Sequence, residues 1–137
     1  MTAYAGWSGA VEPEWVDYND HMADWAYGVV CARANEAFLE HLGVSADYQR
    51  RTGCTTYTVE STLRYLAEVA PATRLRAEST LLDADAKRIR VRTVVLDEAG
   101  TRVLEGDYLF LHVDQALGRV VPFPPDRADV IAANLSR

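Results

Sequence analysis

Trp15-Val16-Asp17-Tyr18-Asn19-Asp20-His21-Met22 runs straight into one helix-patterned segment that ends at Leu42. Between Asp17 and His21 the run carries a carboxylate, an amide, a second carboxylate and an imidazole. Behind it, Tyr27, Cys31, Ala34, Phe38 and Leu42 recur at helical spacing, with Asp24 read as the N-cap and Gly43 as the residue that stops the helix. A strand that turns into a helix exposes backbone N–H groups at the positive end of a dipole. A polarised carbonyl can be held there beside a carboxylate. This junction is the first candidate for an active site.

Working outward, residues 9–16 read as a short extended segment, with Pro13 favouring an edge position. Residues 44–54 are polar and read as a loop. Residues 56–69 alternate, with Tyr57, Val59, Ser61, Leu63 and Tyr65 on one face and Thr58, Glu60, Thr62 and Arg64 on the other. Strands over 74–83 and 88–97 follow, joined by a turn at Asp83–Lys87, and Asp97-Glu-Ala-Gly100 signals a hairpin before a strand over 102–113. Pro122, Pro124 and Pro125 close the sheet, and 126–135 reads as a short terminal helix.

The order is strand, long helix, then four consecutive antiparallel strands, an α+β arrangement in one domain spanning 1–137. One helix cannot cover both faces of a five-stranded sheet. The sheet is therefore expected to wrap around the helix and to leave its other face exposed or against another subunit. A homodimer or homotetramer follows on these grounds.

Composition narrows the function classes. A net charge of −6 argues against general nucleic-acid binding. No stretch approaches the ~18 apolar residues of a membrane span. The first residues, Met1–Trp7, lack the basic and apolar regions of a signal peptide, so a cytoplasmic protein is expected. Cys31 and Cys54 lack metal spacing and read as idle thiols. No Gly-rich phosphate loop is present, and no ligand cluster joins Asp17, Asn19 and His21, so neither nucleotide hydrolysis nor a metal centre is expected.

An aspartate four residues before a histidine, with an aromatic residue six after it, is the spacing held by Asp17, His21 and Tyr27. In this the chain resembles the hotdog-fold thioesterases of the 4-hydroxybenzoyl-CoA thioesterase type. The strings Trp15–Met22, Tyr57-Thr-Val-Glu-Ser-Thr-Leu-Arg64, Leu66-Ala-Glu68 and Leu111-His-Val-Asp114 resemble more closely the thioesterases associated with L-carnitine dehydrogenase. That group is assigned to betainyl-CoA. The resemblance implies a hotdog fold, an acyl-CoA substrate, no cofactor and a functional link to carnitine dehydrogenase. It also implies that Asp17 attacks the thioester or activates water. Asp20 stands where the wider family has Gly before the His, and Ala23-Asp24 replaces a common Asn pair. The extra carboxylate bears on substrate preference.

Thioester hydrolysis needs a nucleophile or base beside the carbonyl and donors aimed at the developing oxyanion. Asp17 is the candidate for the first role, although an Asp in a turn also caps backbone amides. Asn19 is a candidate to orient water or substrate, and His21 either polarises a group near the thioester or hydrogen-bonds the loop and fixes the strand-to-helix junction. Glu60 is a second acidic candidate on the strand after the helix. The N–H groups from Met22 to Tyr27 are the expected oxyanion donors. Trp15, Trp25, Tyr27 and Tyr57 are candidate substrate contacts, able to meet a trimethylammonium head through cation–π attraction. Arg64 joins them as a candidate substrate contact. Arg88, Arg90 and Arg92 share a strand face that suits either CoA phosphates or solvent. His112 reads as structural. Two other readings stand beside the thioesterase: a hotdog hydratase or dehydratase, and a non-catalytic acyl-CoA-binding module. Asp17-Tyr-Asn19-Asp-His21 is one residue short of the Asp-x-Asn-x-x-His pattern of the hydratases.

Overall fold

In the computed structural model, which describes residues 3–136, an antiparallel sheet curls around one long helix. The elements in chain order are β1 (Tyr4–Ala10), α1 (Asp24–His41), α2 (Ala46–Thr52), β2 (Cys54–Tyr65), β3 (Arg74–Ala84), β4 (Arg88–Asp97), β5 (Arg102–Asp114), β6 (Arg119–Val120) and α3 (Pro125–Asn134). The sheet runs β1-β3-β4-β5-β2, with two-residue β6 added to β5. This is the hotdog arrangement that the resemblance implies, with one small strand more than the five expected.

The helix is where its spacing puts it. Tyr27, Cys31, Ala34, Phe38 and Leu42 are all buried, as are Ala26, Val30 and Leu39 between them. Ala23 is the N-cap, and Asp24 is the first helical residue instead, its carboxylate accepting from the Trp25 N–H at 2.9 Å. Gly43 follows the C-cap with φ of +75°, a conformation that suits a residue without a side chain. The helix packs on the inner face of the sheet, where Leu75, Ala77, Leu81, Ile89, Val91, Val95, Leu104 and Phe110 alternate inward. One polar chain crosses this core: Thr93 Oγ1 donates to Asn35 Oδ1 at 2.7 Å and lies 2.7 Å from Ser79 Oγ, so the buried amide carbonyl is matched.

Three local expectations need correction. The first strand is Tyr4–Ala10, not 9–16, because Pro13–Trp15 form a 3-10 turn with Pro at its start. The segment read as a loop holds α2, anchored by buried Tyr48. In β2, the register slips between Thr58 and Glu60, so Val59 is a bulge. Beyond it the parity of the strand reverses. Thr58 pairs with inward Phe110, while Tyr57 pairs with outward Leu111 and leaves the face it was expected to share with Leu63 and Tyr65.

β2 ends the sheet, and most of its residues are exposed on both faces. Tyr57, Val59, Tyr65 and the following Leu66 are each about half exposed. The outer face of the sheet carries a charge lattice: Arg92 bonds Asp107 in bidentate fashion at 2.8 and 3.0 Å, and Arg64 reaches Asp107 and Glu105 at 3.2 and 3.4 Å. The Arg92 and Arg64 guanidiniums hold the Asp107 carboxyl below its usual range against the opposing effect of partial burial.

Candidate active site

The loop between the 3-10 turn and α1 folds back on itself. Val16 and Met22 form an isolated antiparallel bridge, and the Asp17 N–H donates to the His21 carbonyl at 3.2 Å. Inside this loop the Asn19 N–H donates to Asp17 Oδ1 at 2.9 Å and the Asp20 N–H to the Asp17 carbonyl at 3.0 Å. Asp20 has φ of +60°. This left-handed region is natural to Gly and tolerated by Asp, which accounts for an Asp where the resembling family has Gly. The turn therefore uses one Asp17 oxygen and, among the described residues, leaves Oδ2 uncommitted.

Two neighbouring segments hold the loop in place. The Ala23 N–H donates to the Trp15 carbonyl at 2.7 Å, and the Met22 N–H to the Val69 carbonyl at 2.8 Å. With Trp25 bonded to Asp24 and the Ala26 N–H to the Ala23 carbonyl at 3.0 Å, the junction amides are mostly occupied. Among the described residues from Met22 to Ala26, the Asp24 N–H is the one left without an acceptor. Over the first five positions of the expected set, Met22 to Ala26, the free donors narrow to that amide.

Asp17, Tyr18, Asn19, His21, Met22, Asp24 and Glu68 line an open cleft of about 580 Å³ at this junction. Three of the seven are carboxylates. Glu68 was not among the sequence candidates. It comes from the β2–β3 connection and meets His21 at 3.1 Å, Nε2 to Oε2. Its string, Leu66-Ala-Glu68, was the available signal, but no periodicity relates it to His21. A second cavity of about 470 Å³ lies at the far end of α1, between Tyr4, Phe38, His41 and Leu81, and gathers no carboxylate.

The remaining candidates disperse. Trp15 is 4% exposed and packs in the core near Trp7, with the Arg33 guanidinium 5.2 Å from its ring centre, so its π face is taken by the chain itself. Tyr27 is buried too. Its hydroxyl donates to the Ala67 carbonyl at 3.0 Å, and its ring meets Tyr65 edge-on at 5.1 Å. Burial first, and then the Glu68 carboxylate, push that hydroxyl above its ordinary pKa. Trp25, 55% exposed in the first turn of α1, stays available.

Glu60 shares the outer face with Arg90, 3.9 Å away, and Arg64 is engaged by Glu105 and Asp107. Neither joins the cleft lining. Tyr57 is outward and accepts from Gln115 Nε2 at 3.0 Å. Arg88 is held by Asp85 at 2.8 Å, so the basic run is largely a self-paired strand face. His112 is buried and matched on both nitrogens, by the Tyr48 hydroxyl and the Val121 carbonyl, each at 2.9 Å. Cys31 and Cys54 are free, and burial pushes the Cys31 thiol up to about 11 against a lowering contact from Tyr108.

With this geometry in view, the family is decided by a match over residues 11–135 to the thioesterase-like superfamily. The chain belongs to that superfamily. Among relatives of this superfamily member, it is 45% identical over 111 residues to the L-carnitine dehydrogenase/betainyl-CoA thioesterase of Agrobacterium fabrum, covering 81% of this chain and 23% of that one. It is 32% identical over 114 residues to the betainyl-CoA thioesterase of Pseudomonas aeruginosa, covering 82% of this chain and 72% of that one. The chain thus spans about a quarter of the two-function relative. Among solved structures, a hypothetical protein of Staphylococcus aureus in complex with CoA superposes with a TM-score of 0.91 at 23% identity, covering 100% of this chain and 89% of that one. That likeness confirms the hotdog fold. Among the described residues of this superfamily member, no helix is long and apolar enough to cross a membrane.

Proposed function

We propose that this chain hydrolyses the thioester of a short, positively charged acyl-CoA, with betainyl-CoA as the first candidate. The observation that carries the reading is the carboxylate of Asp17, held through one oxygen in the loop that leads into α1 in a thioesterase-like chain. As general base, Asp17 takes a proton from water. The resulting hydroxide adds to the carbonyl, and collapse expels the CoA thiolate. As nucleophile, it adds directly and forms a mixed anhydride that water opens. Either route ends at a free acid and CoA thiol. We assign the oxyanion to the Asp24 N–H at the positive end of the α1 dipole.

The acyl group follows from charge. Asp17 and Asp24 give the cleft a negative lining, with Glu68 turned to His21, and half-exposed Trp25 follows Asp24 in the first turn of α1. Both suit a fixed cation. The names of the two relatives agree with that chemistry. The first of these names also supports a functional link to a carnitine dehydrogenase, and a cytoplasmic setting belongs to the same proposal.

The active form in this reading is at least a homodimer. β2 presents a long unpaired edge flanked by half-exposed Tyr57, Val59 and Tyr65, which a second β2 would cover.

Thiol release from a panel of acyl-CoAs tests the reading. Wild type is expected to favour a cationic acyl group over a neutral analogue of equal size, and Asp17→Asn to lose at least a hundredfold in kcat. Full activity in Asp17→Asn would overturn the assignment. Tight CoA-ester binding with no thiol release would identify a binding module instead.

A further inference from the structure

Glu68 and His21 lie far apart in sequence and meet across the cleft, Oε2 to Nε2 at 3.1 Å. The contact is an ion pair by distance: at 3.1 Å a carboxylate oxygen attracts an N–H hydrogen and repels a ring lone pair, which favours the hydrogen on Nε2, and in the neutral ring Nδ1 is then the lone-pair nitrogen. The chain around Glu68 is fastened from three directions. Leu66 and Ala67 N–H both donate to the Val103 carbonyl, at 3.0 and 3.3 Å. The Ala67 carbonyl accepts from the Tyr27 hydroxyl at 3.0 Å, and the Val69 carbonyl accepts from the Met22 N–H at 2.8 Å. Glu68 is thus an exposed side chain on a fixed base, and His21 is its one partner among the described residues.

We infer that Glu68 is a positioning residue of this site. It orients the His21 ring and makes Nδ1 the ring atom free to accept a hydrogen bond from water or substrate. Without a partner at Nε2, the imidazole would exchange tautomers and rotate, and the cleft would lose a fixed acceptor next to Asp17. The kinetic consequence rests on the thioesterase reading above. The ring geometry does not.

The test combines kinetics with a direct view of the ring. Glu68→Ala is expected to lower kcat about tenfold, with KM for the best acyl-CoA changed by less than about twofold. Glu68→Gln, whose amide oxygen keeps a partial negative charge facing Nε2, should recover part of that loss. In a His21→Asn background, adding Glu68→Ala should cost nothing more, because the two residues act as one unit. Nitrogen-15 spectra of wild type should show the His21 ring in the Nε2–H form, and Glu68→Ala should show a mixture. Additive losses in the double variant would overturn the proposal. So would a loss confined to KM for cationic acyl groups, which would make Glu68 a substrate contact, or a ring spectrum indifferent to Glu68. A wild type that releases no thiol would refute the thioesterase reading alone, and the ring spectrum would still decide the Glu68–His21 relationship.

Discussion

The Tyr27 hydroxyl donates to the Ala67 carbonyl at 3.0 Å and so joins the first turn of α1 to the segment that carries Glu68. The aromatic residue six places after His21 is therefore a brace and not a wall of the binding site. Tyr27→Phe removes the donor and leaves that carbonyl short of a partner. It should lower unfolding stability by about 1 kcal/mol, read from a denaturant midpoint. KM for the acyl-CoA should hardly move, because the ring stays in place against Tyr65.

Asp20 sets a requirement on the backbone of the loop. At φ of +60°, a β-branched residue meets its own carbonyl and Gly does not. Asp20→Val should cost about 1–2 kcal/mol of stability, while Asp20→Gly should be close to neutral. If the Asp20 carboxylate instead supports the turn by its charge, Gly and Val will be equally harmful in thermal melts.

The two thiols should separate cleanly. Cys31 is buried and its thiol is raised to about 11, whereas Cys54 is partly exposed. At pH 8, a thiol reagent should titrate Cys54 in the native protein and reach Cys31 only in denaturant. The folded state holds the Cys31 proton more tightly than the unfolded chain does. That contribution to stability is complete below the ordinary thiol range and fades as pH climbs through about 11. Denaturant midpoints should therefore fall across that alkaline window.

The edge of β2 makes its own prediction about assembly. Wild type should sediment as a dimer or a larger even assembly. Val59→Lys puts a charge at a half-exposed bulge on that edge and should shift the protein towards monomer in a concentration series. A monomeric wild type would remove the need for any partner strand.

Much of the architecture was readable because burial and periodicity coincide. Tyr27, Cys31, Ala34, Phe38 and Leu42 mark α1, and Ile89, Val91 and Thr93 mark the inner face of β4. The departures have local causes. Tyr4–Ala10 is rich in Gly and Ala and carries little alternation, so β1 was placed too late. α2 buries Tyr48 alone and has no apolar face to announce it. The bulge at Val59 inserts a residue that fits a strand as well as its neighbours do, so nothing in the sequence showed that Tyr57 would change sides. In the site, Asp17, Asn19 and His21 were legible as neighbours in one turn. Glu68 meets His21 only through the fold, and Trp15 was lost to the core because an aromatic residue beside a motif looks the same whether it faces ligand or packing.

The bonds that fasten the cleft run to parts of the molecule that are remote from each other in the chain: Met22 to Val69, Tyr27 to Ala67, and Leu66 to Val103 at the start of β5. A lid that opens by itself would need fewer ties than these. The Asp17–His21 loop instead shares its fate with the sheet, so slow hydrogen exchange at Met22 and loss of turnover on heating should keep pace with melting of the whole domain.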